Sequence, residues 1–190
     1  MNFSAPVRSL QHPIRWGVSF SSAPAGWFLC LCLAALFAGP VSPAYAQRAF
    51  VLWVTDGDTV TVVDENVHVE RIRVYGIDCP ESDQPFGLWA QLRTLWEVWA
   101  RPINLKPVER DRYGRLVSRV QKGDEDLSAV LVSAGLAWVY ARYCQKPICS
   151  TWQDMEKRAR RVGRGLWKEP APIPPWDWRQ GKRPDSGWRW

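Results

Sequence analysis

The stretch FVLWVTDGDTVTVVDENVHVERIRVYGI, Phe50 to Ile77, decides the fold. Thr59-Val60-Thr61-Val62 alternates polar and apolar side chains, Asp64-Glu65-Asn66 supplies a turn, and Val67 to Val74 alternates again. A period of two places successive side chains on opposite faces of a strand, so this stretch predicts three consecutive strands. Its end is unusual. Arg71 and Arg73 alternate with Ile72 and Val74, and Gly76 and the turn Asp78-Cys79-Pro80-Glu81 follow at once. A surface strand tolerates two arginines; cations on one face with two carboxylates just beyond its end need a reason from the rest of the chain.

Downstream the period changes. In GLWAQLRTLWEVWA (87–100), Leu88, Leu92, Leu95, Trp96 and Trp99 fall on one helical stripe with Arg93 and Glu97 outside it, which predicts a helix packed through its tryptophans. INLKPVER and GRLVSRVQ read as two further strands around Asp111-Arg112-Tyr113, with Pro107 placing the first at an edge or a bulge. A short helix follows in DLSAVLVSAG, capped by Asp126 and stopped by Gly135. LAWVY is a brief strand. A third helix starts near Ser150 or Thr151, with Trp152, Met155, Ala159 and Val162 on one face and KRARRVGR as a solvated basic surface. The tail from Glu169, rich in proline and tryptophan, is expected to wrap the domain as an extended segment. Short strands with interposed helices predict an α+β chain built on a small barrel of the OB kind.

The first 46 residues read as a leader. They hold Arg8 and Arg15, no acidic residue, the apolar run Trp27 to Gly39 and the small-residue end Ala44-Tyr45-Ala46. That is the pattern of a signal peptide cleaved after Ala46, giving a periplasmic or secreted protein. The run falls short of the roughly 20 residues of an easy membrane span; an uncleaved membrane anchor is the alternative. The expected division is 1–46 leader, 47–169 domain and 170–190 tail. Removing two of the 25 basic residues and none of the 19 acidic ones leaves a net charge of +4, compatible with a polyanionic partner and weak evidence alone. Cys144 and Cys149, close together in YCQKPIC, suit a disulfide in an oxidising compartment better than a metal site, since no second Cys or His cluster completes one. Cys79 is left over. His68 is the sole histidine after the leader and reads as a surface or edge residue. Mechanisms that need two histidines, or a Ser-His-Asp triad with a spare, are therefore excluded.

Three segments concentrate charge beside tight turns: Asp56-Gly57-Asp58; Arg73 with Asp78 and Glu81; and Arg112-Tyr113-Gly114-Arg115. Singly, each reads as an ordinary solvated turn. Together they supply hard oxygen donors of the kind Ca²⁺ prefers, a carboxylate to hold and deprotonate a water, and guanidinium forks that match phosphate oxygens. That set suits phosphodiester hydrolysis without histidine.

DGDTV, RIRVYGIDCPE, QPFG, DRYGR and LSAVLVSAGLAWVY, in this order, resemble the thermonuclease (staphylococcal nuclease-like) family over Phe50 to Pro170, and the IPPWDWR tail resembles the extension of its exported bacterial members. The resemblance implies a five-stranded OB-fold β-barrel with three packed helices and a Ca²⁺-dependent nuclease acting on DNA and RNA. It makes Asp58 and Asp78 calcium ligands with the main-chain carbonyl of Cys79, and places Asp56 behind them through water. Glu81 becomes the general base or the orienter of the attacking water. Arg73 and Arg115 bind the scissile phosphate and stabilise its transition state, with Arg115 also assisting the leaving 5′-oxygen. Arg112 and Tyr113 contact the nucleotide phosphate, and Tyr140 and Tyr143 the base. A monomer without a stable protein partner, off the membrane once the leader is cleaved, is expected. Two departures stand out: Cys79 replaces a common threonine, and the segment from Glu81 to the first helix is short, so its loop should be tight. The rival expectation is a non-catalytic OB module for single strands, but such a module has no need of Glu81.

Overall fold

The structure, a computed structural model, describes residues 47–184, so the expected leader and the last six residues lie outside it. In chain order the elements are β1 (Gln47–Asp56), β2 (Thr59–Asp64), β3 (Val69–Val74), β4 (Ile77–Asp78), α1 (Gly87–Val98), β5 (Pro102–Arg110), β6 (Leu116–Lys122), β7 (Glu125–Asp126), α2 (Leu127–Ser133), β8 (Trp138–Val139), α3 (Ile148–Arg161), a 3₁₀ turn (Gly165–Lys168) and α4 (Pro175–Trp178). The strands run β3-β2-β1-β5-β6 side by side, and β6 returns to pair with β3 in parallel, closing a five-stranded barrel. The expected α+β barrel with packed helices is the observed architecture. The alternation read in the sequence fills it: Val60 pairs with Ile72, and Ile72 with Leu116, all three pointing into the core with Ile103 and Val120.

Local signals hold at several points. A register shift beside Pro107 is the bulge that lets proline, which lacks an N–H, sit in β5. Asp126 caps α2 by accepting from the Ser128 N–H at 3.0 Å, and Gly135 follows with φ of 68°. The Cys144–Cys149 disulfide is formed, and Cys79 is free and buried. His68 is exposed, just ahead of β3.

Helix α1 overturns the expectation for its tryptophans. Trp96 is 79% exposed, and Leu88, Trp89, Leu92 and Trp99 face outward with it. The buried face is Ala90, Thr94, Glu97 and Val98, so Glu97 lies inside rather than off the packed stripe. Close approach is the cause. A Cβ placed on Gly57 would lie 2.7 Å from the Ala90 Cβ, so the helix backbone presses on the β1–β2 turn and only small side chains fit between. Polar groups then serve that face: Thr94 Oγ1 donates to the Gly57 carbonyl at 2.6 Å, and Gln91 Nε2 to the carbonyls of Val54 and Thr55. Glu97, once inside, is met by Lys122 of β6 and Arg93.

Two smaller corrections concern the C-terminal third. Helix α3 begins at Ile148, ahead of the expected start, and Val162 is exposed beyond its end while Trp152 and Ala159 are buried. The tail is not simply extended: Pro174 and Pro175, whose fixed φ suits a helix start, open the short α4, which packs back on the domain.

Candidate active site

The β1–β2 turn supplies the first carboxylate. Asp56 Oδ1 accepts from the Asp58 N–H at 3.0 Å, the side-chain-to-backbone bond that shapes an Asx turn. Asp58 is thereby turned inward, 4% exposed, with Oδ2 accepting from the Cys79 N–H at 2.6 Å and Oδ1 facing Arg73 Nη1 at 2.9 Å. Arg73, projecting from β3 between the inward-facing Ile72 and Val74, also donates through Nη2 to Asp78 Oδ1 at 2.8 Å. Asp78 is 1% exposed. Burial pushes the Asp58 carboxyl well above the usual carboxylate range despite Arg73, and the charges of Asp56 and Asp78 add to the rise. Burial depresses the Arg73 guanidinium, and Asp58 and Asp78 more than restore it.

The turn that presents Asp78 is held from behind. The Tyr75 hydroxyl accepts from the N–H groups of Gln145 and Lys146 at 2.9 and 3.1 Å, and Ser128 Oγ donates to the Tyr75 carbonyl. Gly76 has φ of 76°, and a Cβ there would meet Cys144 Sγ at 2.6 Å and the Trp152 ring at 2.8 Å. Only glycine lets the chain reverse against the disulfide. Cys79 has a second use besides its expected carbonyl: its Cβ and Sγ would lie 2.7 and 2.8 Å from a Cβ on Gly57, so the side chain fills the space under the β1–β2 turn. Burial and then the Asp58 charge push its thiol well up, which makes it a packing group and not a nucleophile.

The Glu81 loop is closed by local hydrogen bonds. Gln84 N–H donates to the Glu81 carbonyl and Gln84 Oε1 accepts from the Glu81 N–H. A Cβ on Gly87 would lie 1.9 Å from the Glu81 carbonyl oxygen, so α1 starts directly against this loop.

A residue that sequence reasoning missed completes the cluster. Arg179, just past α4, places Nη2 2.6 Å from Asp78 Oδ2 and Nη1 2.5 Å from Glu81 Oε1. Asp58, Arg73, Asp78, Arg179 and Glu81 thus form one chain of alternating charge. Burial depresses Arg179, but its hydrogen bond to Asp78 leads a larger rise, aided by Glu81. The tail is seated by three further contacts. Gln84 Nε2 donates to the Ile173 carbonyl at 2.6 Å, Trp178 Nε1 donates to Asp83 Oδ1 at 3.0 Å, and Trp176 stacks on Tyr140 with centroids 4.7 Å apart.

The remaining expected site residues flank this cluster. Leu116 pairs with Ile72, and both point inward, so Arg115 and Arg73 emerge on the same outer face of neighbouring strands. Arg115 is not bonded to the carboxylate cluster; its Nε donates to Asp111 Oδ2 at 2.7 Å. Burial alone would raise the Asp111 carboxyl, but that hydrogen bond and the turn N–H groups bring it below its usual range. Tyr113 is exposed with the guanidiniums of Arg112 and Arg115 at 4.8 and 5.6 Å from its ring. Tyr143 is exposed and edge-on to Tyr140.

Asp58, Asp78 and Glu81 meet two guanidiniums here, with Asp56 bonded to the Asp58 N–H beside them, a surplus of hard carboxylate oxygen that suits a divalent cation such as Ca²⁺. Among the described residues no three His, Cys, Asp or Glu side chains already converge on one point. Arg73 and Arg179 bridge the carboxylates instead. The donor chemistry fits, with Asp58 and Asp78 as the buried pair.

A closed OB-type barrel carrying carboxylates and arginines on one rim defines a class of nucleic-acid hydrolases rather than a simple binding barrel. Residues 71–169 match the family model described as Staphylococcal nuclease homologue. A protein called an uncharacterized endonuclease from Escherichia coli is 38% identical over 133 residues, covering 70% of this chain and 84% of that protein. A micrococcal nuclease from Shigella flexneri is 36% identical over 151 residues, 74% of this chain and 86% of the relative. The chain belongs to the staphylococcal nuclease family. It is a nuclease-type hydrolase whose substrates are nucleic acids.

Proposed function

We propose that the protein hydrolyses phosphodiester bonds of DNA and RNA in a Ca²⁺-dependent, sequence-tolerant way, as an exported enzyme working in the periplasm or outside the cell. The observation that carries this is the alternating chain Asp58–Arg73–Asp78–Arg179–Glu81 at the end of β3, with Asp58 and Asp78 buried. A binding module gains nothing from buried carboxylates that repel a polyanion. A hydrolase needs them.

Asp58, Asp78 and the Cys79 carbonyl would hold the Ca²⁺, with Asp56 behind them. When bound, Ca²⁺ supplies Lewis-acid polarisation of the phosphoryl oxygen. Glu81 accepts the proton of a water as its oxygen attacks phosphorus. Arg73 and Arg115, on one outer face, donate to the non-bridging oxygens as charge accumulates there, and Arg115 assists departure of the 5′-oxygen. Arg112 and Tyr113 steady the neighbouring phosphate, and the exposed Tyr143 offers its ring to a base, with Tyr140, already stacked on Trp176, edge-on behind it. Because the aromatic contact reads only a π-face, sequence tolerance follows.

Residues 47–190 should digest plasmid and single-stranded DNA with calcium and stop when a chelator is added. Equal digestion in both conditions, or none in either, would sink this reading.

A further inference from the structure

Arg179 has no role in the mechanism above, yet it touches two of the site's carboxylates, Asp78 and Glu81. The tail that carries it returns across 101 positions to reach Asp78. Its seat is built rather than incidental. Pro175 and Trp178 are buried, the Trp178 indole N–H is spent on Asp83, and the Ile173 carbonyl is taken by Gln84, the same side chain that accepts from the Glu81 N–H. Arg183 lies over the Trp178 ring at 3.9 Å and closes the tail from its far side. Both ends of the Glu81 residue, backbone and carboxylate, are thus tied to the tail.

A guanidinium is a rigid planar fork, and two of its nitrogens gripping two different carboxylates fix the distance and angle between them. Asp78 is buried and held by Arg73 from its other side. Glu81 is about a third exposed, on a loop. The fork therefore transmits the fixed position of the first to the second. The geometry points to Arg179 as a positioning residue, a third arginine of the active site delivered by the C-terminal tail, which holds the Glu81 carboxylate at its working place relative to Asp78. This rests on the nuclease reading for its catalytic consequence. A lock of this kind matters because displacement of a reacting group by an ångström costs about a hundredfold in rate.

The test uses Arg179→Met and Arg179→Lys, alone and combined with Glu81→Gln. Arg179 is about half exposed but pairs with the buried Asp78, so the melting temperature of both variants is measured first and kinetics are taken well below it. With Glu81 present, Arg179→Met should lower kcat by about a hundredfold with KM little changed, and Arg179→Lys should restore part of it. In the Glu81→Gln background the same substitution should cost almost nothing, since the group it positions is gone. Activity in Arg179→Met equal to or above the parent overturns the proposal, because the tail would then be idle or obstructive. So does an undiminished loss in the Glu81→Gln background. Side-chain relaxation of ¹³C-labelled Glu81 gives a readout independent of turnover: it should loosen in Arg179→Met. If the parent cleaved no nucleic acid at all, the nuclease reading would fall, and unchanged Glu81 relaxation would separately overturn this one.

Discussion

Gly57 shows how one missing side chain sets the chemistry. Three atoms from two segments converge on its α-carbon: the Ala90 Cβ, the Cys79 Cβ and the Cys79 Sγ, all under 3 Å from where a Cβ would stand. The turn can carry Asp58 inward only because helix and thiol close on it from either side. Gly57→Ala should cost about 1–3 kcal/mol of stability, the usual penalty for overpacking, and displace Asp58 from Arg73. Urea denaturation gives the first, and the calcium dissociation constant by calorimetry should rise with it. An alanine variant as stable as the parent with unchanged calcium binding would show that the packing around the turn is loose. The DGD signature was legible in the sequence as a turn. Its glycine's true neighbours, one 33 positions downstream, were not, because no local pattern encodes them.

At the scale of elements, α1 is the instructive case. Its apolar residues recur at helical spacing, and amphipathicity would turn that stripe inward. Contact with the β1–β2 turn outranks the pattern: a helix that must approach a glycine backbone buries its small side chains, whatever lies opposite. Trp96→Gln should therefore change stability by no more than about 0.5 kcal/mol, as at a surface site. Glu97→Gln, one position on, should cost about 1–3 kcal/mol by taking the buried charged acceptor from Lys122 and Arg93, with Lys122 left only the exposed Glu125. Burial lifts the Glu97 carboxyl, but Lys122 and then Arg93 bring it below its ordinary 4.5. A depressed carboxyl contributes stability that is present above the unfolded value and fades as pH falls through the folded one. The gap between parent and Glu97→Gln in denaturation midpoints should accordingly narrow below about pH 4.5. The strands were more readable than the helix faces, since a barrel strand's alternation is local and its inward row, Val60, Ile72 and Leu116, must meet the core in any register that closes.

Across the whole molecule, two long-range ties hold the site. One is the Cys144–Cys149 disulfide, readable from cysteine spacing, though its position behind Gly76 was not. Replacing both cysteines by alanine should cost about 2 kcal/mol on the chain-entropy account for so short a loop. It should also slow turnover, because the Tyr75–Gly76 reversal that aims Asp78 rests on that bridge; denaturation and steady-state kinetics measure the two effects. Unaltered kinetics would show that the reversal is held by Tyr75 and Trp152 alone. The other tie is the tail, whose composition read as a loose wrap. Rigid prolines there reduce the entropy lost on docking, and indoles supply buried area with a donor to spend. Nothing within the tail's own sequence says that its partner lies near residue 80.

That separation has a consequence in the order of synthesis. The ribosome makes the barrel strands, the DGD turn and the Glu81 loop first, and Arg179 comes 98 positions after Glu81. A nascent chain interrupted near Lys168 holds every strand of the barrel and every residue of the three charged turns, but not the arginine that locks them. Such products should bind nucleic acid while cutting it slowly, so full activity waits for the tail to be made.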